Sequence, residues 1–99
     1  MVFEWFDAKA AEAFGTELAK SFMARVPLNA ELSERKFESK ARSAIAQLDR
    51  TVTAFRTDHR LNMFQKAKVG NAFKWALRDA GYPARTVDQL TDLLMLQFR

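Results

Sequence analysis

The chain has 99 residues, 48% of them hydrophobic, no cysteine and a net charge of +4. That length makes one domain, residues 1–99, with no room for a second core, and the missing cysteines exclude disulfides and thiolate chemistry. The longest apolar run, Leu93-Leu94-Met95-Leu96, is far short of the roughly 20 residues that cross a bilayer.

The start of the chain, Met1-Val2-Phe3-Glu4-Trp5-Phe6-Asp7, lacks the basic opening and continuous apolar core of a secretory signal, so a cytoplasmic location is expected. Asp7 is placed to cap a first helix with its carboxylate. Ala11, Phe14, Leu18, Phe22 and Val26 then recur at helical spacing and form one apolar stripe. Pro27 stops that helix, because the residue before a proline is pushed out of helical geometry. Gly15 inside it costs up to about 1 kcal/mol relative to Ala, and close approach of a neighbouring helix is the expected return.

The second helix carries the clearest pattern. Ser33 can cap it, and Leu32 and Phe37 stand at the staple positions on either side of the cap. Its apolar face reads Phe37, Ala41, Ala44, Ile45, Leu48, Val52 and Phe55, ending at His59. Beyond His59 the phase slips, which predicts a bend near residues 57–60 with Asp58 as its cap. A second slip at Gly70-Asn71 predicts a turn, followed by a helix whose inner face is Phe73, Ala76, Leu77 and Ala80. Gly81 suits the residue just past that helix, and Pro83 prevents re-entry. The last helix is expected to open at Thr86-Val87-Asp88-Gln89, a capping-box spacing. No strand-like alternation or hairpin signal interrupts the series. The predicted fold is all-α, a compact helical bundle of four to five helices.

No catalytic or metal motif is present. His59 is the single histidine, no His/carboxylate spacing suits zinc or di-iron, and no nucleophile elbow or phosphate loop occurs. The pairs Glu34/Glu38 and Asp88/Asp92 share helix faces, but they sit near helix starts, where acids complement the macrodipole. No cofactor, small-molecule substrate or enzymatic activity is expected.

Charge is the remaining clue. Between Arg35 and Arg78 lie eleven Lys and Arg against Glu38, Asp49 and Asp58, an excess of +8; widening the window to Glu31–Asp79 lowers it to +5. Such a field favours acidic partners. Lys66, Lys68, Lys74 and Arg78 are candidate phosphate contacts, and Trp75 a base-stacking platform. The N–H groups after Asn71 are a candidate anion site. The helix–glycine–helix outline is that of a DNA-reading motif, except that Lys66 stands where a small residue is the rule.

A different candidate surface comes from the chain ends. Phe3, Trp5 and Phe6 precede the first helix, and Leu90, Leu93, Leu94, Met95, Leu96 and Phe98 make the last one apolar over most of its circumference. That surplus calls for a homo-oligomer or a protein partner. Membrane docking is not expected, because Glu4 and Asp7 flank the aromatics and no basic cluster accompanies them. The sequence thus predicts a small protein-interaction or regulatory module that self-associates or docks to a larger protein. Its alternative is a nucleic-acid-binding protein using residues 66–78.

Overall fold

The first helix, α1, spans Ala8–Arg25 and buries the stripe read above, with Ala11, Gly15, Leu18, Ala19 and Phe22 inward. The computed structural model describes residues 8–28, 33–58 and 61–98; Phe3, Trp5, Phe6, the Asp7 cap, Leu32 and His59 lie outside them. Val26 closes the helix by donating its N–H to the Phe22 carbonyl at 2.9 Å, and the chain leaves at Pro27.

Ser33 does cap α2 (Glu34–Asp58): its Oγ accepts the Lys36 N–H at 3.2 Å. The expected face is the one buried, through Ala41, Ala44, Ile45, Leu48 and Val52, with Phe37 and Phe55 packed against the core margin. At about 1.5 Å per residue this helix is the longest element and sets the rod-like outline of 49 × 23 × 19 Å.

After the bend, α3 runs unbroken over Met63–Asp79, so the turn expected at Gly70-Asn71 does not occur. The first slip falls at the break between α2 and α3, whereas the second comes from taking apolar residues at the start of α3 as inward. Met63 and Phe64 are 83% and 61% exposed, and Phe64 lies under the Lys68 ammonium, 5.5 Å from the ring centroid. The start of α3 is a capping box on Asn62 rather than a cap on Asp58. The Gln65 N–H donates to Asn62 Oδ1 at 2.7 Å, and the Asn62 N–H donates to Gln65 Oε1 at 2.9 Å.

Gly81 ends α3 as expected, at φ +102°. The Tyr82 N–H reaches the Leu77 carbonyl and the Gly81 N–H the Arg78 carbonyl, the paired bonds of a Schellman ending that satisfy otherwise orphaned carbonyls. The last helix, α4, spans Ala84–Leu96, with Pro83 at its N-cap and no side-chain cap. Thr86 therefore sits inside the first turn, and the Thr86–Gln89 capping box is not made. Pro83 itself is extended, with φ −59° and ψ 139°, and its carbonyl accepts the Val87 N–H at 2.9 Å, so winding begins directly after it.

Four helices and no strand are present among the described residues. The innermost seam joins α1 to α3: a Cβ on Gly15 would collide with the Val69 carbonyl oxygen and stand 2.9 Å from the Ala72 Cβ. Close helix approach is thus the role of that glycine. Contacts Glu12–Lys68 and Phe22–Phe73 advance together along both helices, so α1 and α3 are parallel. Phe14 stacks on Phe55 at 3.9 Å and Arg25 bonds Gln47, which makes α2 antiparallel to α1. Gly70 packs under Met95 while Lys74 pairs with Asp88, so α4 is antiparallel to α3. Tyr82 ties the end of α1 to the α3–α4 turn. Its hydroxyl donates to the Val26 carbonyl at 2.6 Å, and its ring meets Phe22 edge-on.

Candidate interaction groove and basic faces

Running opposite to α3, α2 and α4 are parallel to each other; they meet where the Gln97 Nε2 donates to the Ile45 carbonyl at 3.0 Å and leave a groove between them. The floor is Phe37 and Ala41 from α2 with Leu90, Leu93, Met95 and Leu96 from α4, enclosing about 860 Å³. Its rim carries three carboxylates, Glu34, Glu38 and Asp92, and three guanidinium groups, Arg35, Arg42 and Arg85. Within the rim Arg42 and Glu38 stand 4.0 Å apart with both side chains largely in solvent, a pair worth about 0–1 kcal/mol. The rim charges are therefore free to rearrange toward a partner.

This groove divides the apolar surplus of the last helix. Leu94 and Phe98 are inside the bundle, and Leu90 is 4% exposed at the inner edge of the floor. Their company is ordinary core, and the bundle itself covers them. Leu93 and Met95 are half-buried, and Leu96 is 52% exposed. Phe37, Ala41 and the charged rim were not singled out from the sequence as a surface. The available signal was the position of Phe37 at the very start of a stripe whose helix outruns its neighbours.

The basic set proposed from the sequence does not form one face. Lys66, Lys68, Lys74, Trp75 and Arg78 are all on α3, but at 3.6 residues per turn they spread around more than half of it. Lys68 turns toward α1 and pairs with Glu12 at 3.5 Å. Lys74 turns toward α4 and pairs with Asp88 at 3.6 Å. Trp75 is 54% exposed, yet the Arg78 guanidinium lies over its ring, 5.3 Å from the centroid. Since α3 continues through Gly70 and Asn71, the N–H groups after Asn71 are intrahelical and no anion nest exists there.

A second basic surface is better ordered. On α2 the carboxylates Glu34, Glu38 and Asp49 share one edge, the edge toward the groove. Lys36, Lys40 and Arg50 turn away from the core among Ser39, Ser43 and Ala46, all exposed. These three cations have no ion-pair partner among the described residues. Helical phase alone separates Glu34, Glu38 and Asp49 from these three bases, so that segregation was available in the sequence.

Among the described residues no cluster of three or more His, Cys, Asp or Glu could hold a metal, and no helix is long and apolar enough to cross a membrane. Burial holds the Tyr82 phenol above its ordinary value. No protein-family model, curated protein or solved structure matches this chain.

Proposed function

We propose that this protein is a helical interaction module that self-associates through the α2–α4 groove. The observation that carries this reading is an apolar floor left open beside a bundle that has buried its other long apolar faces, with Leu96 52% exposed on that floor. A second copy suits the groove because its rim balances three carboxylates against three guanidinium groups. A two-fold interface places each patch against its own image, and a balanced rim can then pair acid with base throughout. A strongly acidic or basic partner would leave one of those sets facing like charge.

Sedimentation equilibrium or light scattering in the micromolar range tests this directly. Wild-type protein is expected as a dimer, and Leu96→Glu as a monomer with an essentially unchanged fold, since the side chain is half in solvent before association. A wild-type chain that stays monomeric throughout that range, or a dimer indifferent to Leu96→Glu, removes the groove from consideration.

A further inference from the structure

We propose that the outward face of α2 docks double-stranded nucleic acid through its phosphate backbone. This face lies away from the groove, so the two readings stand or fall separately. Lys36 and Lys40 occupy one end of it and Arg50 the other, with Ser39, Ser43 and Ala46 between them. At about 1.5 Å per residue the cations are separated by roughly 15 to 21 Å along the helix. A duplex major groove is about 12 Å wide, so cations so spaced reach the phosphates on both of its walls. Ser39, Ser43 and Ala46 let that part of the helix approach closely, and the one longer side chain on the arc, Gln47, is drawn toward α1 by its bond from Arg25. Within the span from Lys36 to Arg50 the carboxylates Glu38 and Asp49, which would repel phosphate, lie on the other edge of α2, as does Glu34 before it.

The same face disfavours the other polyanionic surfaces. It offers no aromatic ring on which an unpaired base could stack. The apolar side of α2 is turned into the bundle, so no large apolar side chain on the outer side is left to enter a bilayer. Nor does it carry the buried aromatic or aliphatic anchor around which a protein interface is organised. What it offers is positive charge on one helix face, with no ion-pair partner among the described residues.

Fluorescence anisotropy with a labelled duplex of arbitrary sequence, titrated with salt, tests the assignment. Wild-type protein is expected to bind at low salt and to release steeply as salt rises. The triple variant Lys36→Gln, Lys40→Gln, Arg50→Gln should lose about tenfold or more in affinity. Its slope of log affinity against log salt should fall by about 2.7, or 0.9 for each phosphate contact removed. Lys66→Gln, Lys68→Gln, Lys74→Gln should bind nearly as wild type, and Leu96→Glu should retain binding even where self-association is lost. The proposal is overturned by no duplex binding at low salt, by an unchanged slope in the α2 variant, or by an equal loss in the α3 variant. Capture by phosphatidylglycerol vesicles with no affinity for the duplex would overturn it in favour of a membrane surface. Circular dichroism melts confirm that each exposed-site variant remains folded.

Discussion

Gly15 and Gly70 are both buried inside helices, and replacing each by alanine should have unlike results. Alanine is favoured over glycine in a helix by about 1 kcal/mol, so propensity alone predicts that both variants gain. At Gly15 the new methyl meets backbone: the Val69 carbonyl oxygen collides with it, and the Ala72 Cβ stands at 2.9 Å, against 3.4 Å for ordinary contact. The Ala72 contact alone therefore asks α1 and α3 to part by about 0.5 Å, the difference of those distances, and the carbonyl asks for more. A gap of 0.5–1 Å forfeits roughly a quarter to a half of each dispersion contact across it. That seam carries Phe22 and Phe73. Overpacking of this kind typically costs about 1–3 kcal/mol, and against backbone the upper end applies. After the propensity gain, Gly15→Ala should lose about 2 kcal/mol, or about 10 °C in Tm for a domain of this size. At Gly70 the obstacle is the Met95 Sδ at 2.8 Å, which belongs to an unbranched side chain with three rotatable bonds. It can swing aside, so Gly70→Ala should stay within about 1 kcal/mol of wild type, on the stabilised side. Urea and thermal melts followed by circular dichroism read both. A Gly15→Ala protein as stable as wild type, or a Gly70→Ala protein that falls equally far, would refute the packing argument.

Tyr82→Phe removes the 2.6 Å bond to the Val26 carbonyl and should cost about 1–3 kcal/mol, because the acceptor is left buried; a denaturation midpoint equal to wild type would show that water replaces it. Burial raises the Tyr82 pKa, so the folded state favours the neutral phenol. The stability this contributes is complete below the unfolded value near 10 and is lost as pH rises through the higher folded value. As the only tyrosine, Tyr82 can be followed by phenolate absorbance, and a midpoint at or below that of free tyrosine would contradict the burial. Asn62→Ala should cost about 1 kcal/mol as the loss of a helix cap, whereas Thr86→Ala should cost less than half of that because Thr86 caps nothing. Chemical melts that rank Thr86 above Asn62 would reverse that assignment.

Where a helix carried its own instructions, the sequence could be read correctly. The α2 stripe from Phe37 to Phe55, the Ser33 cap, the Pro27 stop and the Gly81 ending all depend on residues within a few positions of one another. Failures arose where a distant part of the chain decides the outcome. Gly70 looks like a turn because nothing nearby says that Met95 will lie against it. Phe64 looks like a core residue because apolar character does not report what is available to cover it. At Thr86 the spacing offers a plausible cap, but the helix has already started after Pro83. The candidate surfaces divide in the same way. Separation of Lys36, Lys40 and Arg50 from Glu34, Glu38 and Asp49 around α2 follows from helical phase, but neutralisation of Lys68 and Lys74 depends on Glu12 and Asp88 from other helices. Net charge in a window counts cations without showing which of them are already satisfied.

The tight parallel seam between α1 and α3 also bears on how the chain is made. Its contacts join Glu12 to Lys68 and Phe22 to Phe73, positions 56 and 51 residues apart (68 − 12 and 73 − 22). Loop closure over such separations slows folding relative to bundles built from consecutive hairpins. During synthesis, α1 can meet α2 early, but its principal partner is translated only after most of the chain has appeared. Until then Leu18 and Phe22 have no α3 to cover them, a period in which an apolar helix surface invites aggregation or a chaperone. Ribosome-bound chains halted before and after α3 should therefore differ sharply in protease resistance, with protection of α1 arriving only once residues through Leu77 have cleared the exit tunnel.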